Sequence, residues 1–125
     1  MSSPSATPNK YPYPNQPTWS TSEKAIARAV FDAALKRELH EVMQEAKERA
    51  TLIREPADVW DLESYLTQRR KDIDRKYDFR SSRLTPVFGR LLFEHRVSEN
   101  ELRGLGEDKR KAIHSCAKFL AEDAA

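Results

Sequence analysis

Residues 20–56 read STSEKAIARAVFDAALKRELHEVMQEAKERATLIREP, and no glycine or proline interrupts them before Pro56. Ser20 with Glu23 fits a capping box, in which each side chain satisfies the other residue's free backbone N–H. Phe31, Leu35, Leu39, Val42, Ala46 and Ile53 then step by 4, 4, 3, 4 and 7 residues. That spacing predicts one apolar stripe on a helix about 30 residues and roughly 45 Å long. Long periodic helices of this kind commonly pack on another helix along a coiled-coil-like seam.

Outward from this helix the same grammar continues. Pro56 ends the first helix and suits the first position of a second, on which Val59, Leu62, Leu66, Ile73 and Tyr77 repeat at helical spacing. Glu55, Asp58, Asp61 and Glu63 occupy its start without a base among them. Arg69, Arg70, Lys71, Arg75, Lys76, Arg80 and Arg83 follow, interleaved with Asp72, Asp74 and Asp78. Acids first and bases later is the order the helix macrodipole prefers. Residues 20–80 therefore read as a helical hairpin of two long arms. A two-helix hairpin cannot bury both of its faces, so the seam needs the rest of the chain or a second copy.

The remaining chain reads as a compact helical head. Thr85-Pro86 is expected as N-cap and first residue of a short helix carrying Val87, Phe88, Leu91 and Leu92. Ser98 with Glu101 is a second capping box, and Gly104 and Gly106 stop the helix it opens. A last helix from Glu107 carries Ile113, Cys116, Ala117 and Leu120. This head has too few apolar residues to cover both arms. Homodimerisation through the arms is expected, along Leu35, Leu39, Val42, Val59, Leu62 and Leu66. An antiparallel two-fold pairing would also lay the acidic start of one second helix near the basic half of its mate.

Five of the seven prolines fall before residue 20, among Ser, Thr and Asn. Residues 1–19 thus read as an extended or disordered tail. Its Tyr11-Pro12-Tyr13-Pro14 run is a weak polyproline II signal beside the stronger reading of a solvated segment. The expected organisation is a tail over 1–19 and a single all-α domain over 20–125, with stalk helices over 20–83 and the head over 84–125.

Composition excludes several classes. In 125 residues only nine are Val or Ile, and no Asn-Gly, Asp-Gly or Gly-Gly turn occurs, which disfavours β-structure. No run of 18 apolar residues exists to span a membrane, and the first 20 residues lack the apolar core of a signal peptide. A single cysteine, Cys116, cannot close an intrachain disulfide, so the chain reads as cytoplasmic.

Catalysis is hard to assemble from this inventory. His40, His95 and His114 lie in different elements with no partner at metal-ligand spacing, so no metal or cofactor is expected. Cys116 sits between Ile113 and Leu120 at apolar spacing and reads as a small buried hydrophobe, not a nucleophile. The glycines at 89, 104 and 106 form no phosphate loop. The chain therefore reads as non-enzymatic. The basic run from Arg69 to Arg83 is the best generic binding signal, but three interleaved aspartates, few aromatics and a pI of 8.7 argue against nucleic acid. Trp60 lies at the edge of its helix's apolar stripe, equally a half-buried core residue or an exposed anchor. Arg70 follows ten residues on, about 80° around and some 15 Å along.

The stretch from Asp58 to Arg80, with Trp60, Arg70, Ile73-Asp74, Lys76-Tyr77-Asp78 and Arg80, resembles the cyanobacterial fluorescence recovery protein family. So do Ala34-Leu35-Lys36-Arg37-Glu38-Leu39, Val87-Phe88, Leu91-Leu92, Glu101-Leu102 and Asp108-Lys109, and the resemblance extends over roughly residues 20–120. It implies an all-helical homodimer that makes and breaks no bond. It further implies a photoprotection role: binding the C-terminal domain of photoactivated orange carotenoid protein and speeding its return to the orange form. That return ends non-photochemical quenching at the phycobilisome. The resemblance points to Trp60, Glu63, Ser64 and Arg70 as the partner-binding or dimer face. Two features depart from the family pattern. Glu63 and Ser64 replace a His-Asp pair whose Asp can pair with the Arg, leaving Glu63 as the neighbouring carboxylate, and Pro86 replaces an apolar residue. The family also has relatives in bacteria without phycobilisomes, for which a different protein client is the alternative.

Overall fold

The structure, a computed structural model, describes residues 18–124. Helix α1 spans Thr21–Thr51, α2 Pro56–Lys76, α3 Leu84–Phe93 and α4 Glu107–Ala124, with 3₁₀ turns at Ser81–Arg83 and Asn100–Leu102. No strand occurs among the described residues, and the protein is all-α.

The capping box opens α1 where the sequence places it. Ser20 Oγ accepts the Glu23 N–H at 3.1 Å, and Glu23 Oε1 accepts the Ser20 N–H at 3.0 Å. The helix runs 31 residues, about 45 Å. Pro56 begins α2, and Asp58 Oδ2 accepts the N–H groups of Arg54 and Glu55 at 2.9 and 3.1 Å. The two helices pack along each other as a hairpin. Near its tip the Arg49 guanidinium lies 4.2 Å from the centre of the Tyr65 ring.

The core lies at the other end. Leu84, Val87, Phe88, Leu91, Val97, Leu102, Leu105 and Ile113 from the head close over Ala27, Val30, Phe31 and Ala34 of α1. The first part of the stalk and the head therefore share one core, and residue 83 is no boundary between them. Trp19, assigned by sequence to the tail, is buried at 5% exposure with its ring 6.3 Å from Phe88. Packing thus starts before the capping box; residues 1–17 lie outside the described residues. Phe31 meets Tyr77 and Phe79 edge-on at 5.3 and 5.0 Å, tying the end of α2 to α1.

Two local expectations in the head are corrected. α3 starts at Leu84, with Arg83 in the cap position, so Pro86 falls inside its first turn, where a missing N–H costs nothing. Thr85 does not cap: its Oγ1 is buried without a hydrogen-bond partner. The Ser98–Glu101 box does form, with Ser98 N–H donating to Glu101 Oε1 at 3.0 Å and Glu101 N–H to Ser98 Oγ at 3.2 Å, but it opens only a 3₁₀ turn. At the α3–α4 crossing a Cβ on Gly89 would collide with Cys116 Cβ, so only glycine permits that approach.

Apart from Phe31, the apolar stripe read from sequence is not the face that packs on the head. The buried residues of α1 are Ala27, Val30, Phe31, Ala34 and Glu38. At 100° per residue their row lies about 95° around the helix from the line through Leu35, Leu39, Val42 and Ala46. The head takes the first row, and the second is left only partly covered.

Candidate functional site

On the distal half of the hairpin the expected seam stands half open. Leu35, Val42 and Leu62 are half-buried between the arms, whereas Leu39, Val59 and Leu66 are exposed, as are Met43 and Leu52. On α2 the inward face is Leu62, Tyr65, Arg69 and Ile73; Val59, Glu63, Leu66 and Arg70 form the adjoining outward strip within about 60° of arc. Trp60 projects beyond this strip with 65% of its surface exposed, so it is not half-buried core.

The four predicted site residues are all surface residues of α2. Glu63 lies two turns before Arg70 on the same strip and does not pair with it; its carboxylate accepts from Thr67 Oγ1 at 3.4 Å. Arg70 has no salt-bridge partner among the described residues. Ser64 stands beside Trp60 and away from Arg70 on the helical wheel. The arrangement therefore presents a bare indole, a bare guanidinium and an apolar strip. Aromatic and Arg side chains beside apolar area are the groups that gain most when a protein surface is desolvated. It contains no nucleophile–base pair, and no group of three or more His, Cys, Asp or Glu able to hold a metal occurs among the described residues.

Where the hairpin meets the head, the structure holds a cluster that sequence patterning did not single out. Glu38 is fully buried at 0% exposure. Its carboxylate accepts from Arg69 Nη2 at 2.8 Å, Lys76 Nζ at 2.8 Å and Tyr77 Oη at 2.9 Å, and Arg96 Nε lies 3.2 Å away. Glu94 Oε1 takes Lys76 Nζ at 2.7 Å and Arg96 Nε at 2.9 Å, while Arg96 Nη1 reaches Glu41 at 2.6 Å. Three carboxylates thus face three cations, which is what allows a charge to be buried at all. Burial alone would push the Glu38 carboxyl up, but the hydrogen bonds from Lys76, Arg69 and Tyr77 outweigh it and hold the group below its ordinary value. Burial and then the Glu38 charge push the Tyr77 phenol up.

His95, at φ 61°, delivers Arg96 to this cluster. It turns the chain out of α3, and the Arg96 N–H caps back onto the Leu91 carbonyl at 2.9 Å. Arg37 adds a forked contact to Glu101 and a 2.7 Å bond to the Arg96 carbonyl. The one sequence signal for this knot is positional: Glu38 falls at helical spacing after Ala27, Phe31 and Ala34, a lone acid closing a row of small and apolar residues.

The comparisons with known proteins agree with this architecture. Residues 19–117 match the family model described as photoprotection regulator fluorescence recovery protein. The chain is 37% identical over 101 residues to the fluorescence recovery protein of Synechocystis sp. PCC 6803, covering 81% of this chain and 93% of that one. The solved structure of that protein superimposes with a TM-score of 0.77 over 81% of this chain and 99% of the other. The Fremyella diplosiphon fluorescence recovery protein gives a TM-score of 0.77 at 36% identity, with the same coverage. With the model match extending from the buried Trp19 into α4, the chain belongs to the fluorescence recovery protein family of photoprotection regulators.

Proposed function

We propose that this protein is a homodimeric, non-enzymatic regulator that binds the C-terminal domain of photoactivated orange carotenoid protein and accelerates its return to the orange resting form. The observation that carries the reading is the distal face of the hairpin. Leu39, Met43, Val59 and Leu66 are each 39–50% exposed, beside a Trp60 that is 65% exposed and an Arg70 without an ion-pair partner among the described residues. A monomer in water gains nothing from that surface, whereas a second copy would cover the strip and leave Trp60 and Arg70 at its rim. The mechanism is differential binding. A partner that holds the transition state of the return more tightly than the photoactivated form lowers the barrier of the route back.

The departures at Glu63 and Ser64 support one alternative, the same dimeric scaffold serving a different protein client, because Arg70 here lacks the carboxylate partner that the family pattern supplies. A nucleic-acid role has less behind it, since Arg69, Lys76 and Arg80 are committed to Glu38, Glu94 and Asp78 within the chain. The test follows dark recovery of photoactivated orange carotenoid protein by its red-to-orange absorbance change. Acceleration by the wild type that falls by about tenfold or more in Trp60→Ala is the expected result for an aromatic anchor. A stable dimer that leaves recovery untouched would transfer the function to another client.

A further inference from the structure

Between the C-terminal half of α2 and helices α3 and α4 lies an open groove of about 750 Å³. Six cations, Arg69, Arg75, Lys76, Arg83, Arg90 and Arg96, line it against two carboxylates, Asp72 and Glu94. Half of that positive charge is already neutralised, because Arg69, Lys76 and Arg96 are bound to Glu38, Glu94 and Glu41. The other half is held more loosely. Arg75 comes only within 3.7 Å of Asp72, Arg90 within 4.0 Å of Glu94, and Arg83 has no salt bridge among the described residues. Apolar surface is interleaved with these cations: Arg83 and Arg90 bracket Pro86 and Val87 along α3, and α4 adds Leu120 and Phe119, which is 67% exposed. Arg83, at the cap of α3, and Arg90 alone stand about 10 Å apart along that helix, so one phosphate or carboxylate cannot answer all three loosely held guanidiniums. A ligand that does so carries several anionic groups spread around an apolar centre.

We propose that this groove docks an acidic segment of a partner protein, one in which carboxylates flank one or two large apolar side chains. Charge complementarity selects the sign and Phe119 with Pro86 and Leu120 supplies the apolar seat. Glu38, buried behind the groove, and Glu94, on its lining, fix Arg69, Lys76 and Arg96 so that the positive side is ordered before the partner arrives. The inference rests on the reading of the chain as a client-binding regulator, and adds a contact roughly 14–22 Å along α2 from Trp60. The two carboxylates within the groove and its single exposed aromatic side chain disfavour a nucleic-acid backbone.

The probe is a labelled synthetic peptide of about four helical turns, built from Glu on one face and Leu on the other, titrated by fluorescence anisotropy at physiological salt. Saturable binding is expected, weakened about tenfold or more in Arg83→Glu/Arg90→Glu and severalfold in Phe119→Ser. Trp60→Ala should bind the peptide like wild type. All these side chains are exposed, and unchanged far-UV circular dichroism confirms that each variant is folded. Absence of saturable binding would overturn the proposal. So would equal affinity for the doubly substituted variant, equal affinity for a peptide with Ser in place of Leu, or equal competition by duplex DNA. The two readings fail separately. Wild type that binds the peptide but does not accelerate carotenoid-protein recovery removes only the client identity. Wild type that accelerates recovery while the groove variants bind the peptide unchanged removes only the groove.

Discussion

The two halves of α1 are one uninterrupted helix with opposite fates. From Ala27 to Glu38 its inward row is sealed under the head, with Ala27, Ala34 and Glu38 all at 0% exposure. From Leu39 to Leu52 the same helix leaves large apolar side chains in solvent, Leu39 at 50% and Leu52 at 66%. The residues that change register between these regimes are neighbours: Glu38 is a buried charge and Leu39 an exposed hydrocarbon. That inversion of the usual rule is informative on both sides. A charge is buried only where cations and hydroxyls surround it, and an aliphatic strip is exposed where something else is meant to cover it. The proximal half is finished within one chain, while the distal half is the surface that the proposed second copy would cover.

The most damaging way to break this contrast is to empty the buried side of it. Glu38→Ala leaves Arg69, Lys76 and Arg96 facing one another without their shared carboxylate, and should cost about 3–5 kcal/mol, the range for breaking a buried ion pair from one side. Urea unfolding followed by far-UV circular dichroism reads this as a lowered midpoint. Glu38→Gln keeps an acceptor for Tyr77 Oη and should fall between the two. Leu39→Ala, one residue on, should change the stability of the single chain little. Equal losses for Glu38→Ala and Leu39→Ala would erase the distinction between the halves.

The same contrast explains what could be read from sequence. The start of α1 at Ser20 and of α2 at Pro56 was legible because a capping box and an N-terminal proline are local devices, complete within four residues. Likewise the length of α1 follows from an absence of breakers. The packing face was not legible. Periodicity reports where apolar residues recur, and in α1 the most regular recurrence, Leu35 to Ala46, belongs to the open side. The sealed side is built of Ala27 and Ala34, which carry little hydrophobic signal, and of Glu38, which carries the opposite one. Its partners lie 31, 38 and 39 residues away at Arg69, Lys76 and Tyr77, beyond any window in which charge patterns are compared. Of the candidate site, Trp60 and Arg70 could be picked out by resemblance and helical spacing, but the exposure of the indole could not, since a stripe-edge position allows either outcome. The Thr85-Pro86 cap failed for a related reason: the preceding 3₁₀ turn at Ser81–Arg83 supplies the helix start from outside the motif.

On the open side, charge in place of hydrocarbon sharpens the comparison. Leu39→Glu or Val59→Glu should weaken dimerisation by roughly tenfold or more, since each substitution enters a two-fold interface twice and removes about 1 kcal/mol of apolar burial per copy before any desolvation of the carboxylate. Sedimentation or light scattering at micromolar concentration reads the shift toward monomer mass. The helical content of the monomer should survive, because neither side chain contributes to the core around Phe88. An unchanged dimer mass would move the interface elsewhere and leave the exposed strip without its explanation.

The smallest expected effect lies at the sealed end and is a function of pH. Hydrogen bonds from the N–H groups of Ser20 and Gly106 are the main reason that the Glu23 carboxyl is held at about 2, against an ordinary 4.5; burial opposes them and Lys109 assists. Lys109 is itself buried, with Nζ 3.1 Å from Glu23 Oε1, so the contact staples the first turn of α1 to the start of α4. A folded-state value below the unfolded one means that protonation favours unfolding. The contribution of Glu23 is therefore complete above about pH 4.5 and is lost as the pH falls toward 2. Glu23→Gln should be less stable than wild type by about 1 kcal/mol at neutral pH, the scale of a lost helix cap. The gap should narrow between pH 4.5 and 2, as wild type surrenders what the variant never had. Paired urea titrations across that range measure it. A gap that stays constant with pH would mean that the carboxylate's charge contributes nothing there, and that the junction between α1 and the head is held by the apolar core, the Glu38 cluster and the Arg37 contacts.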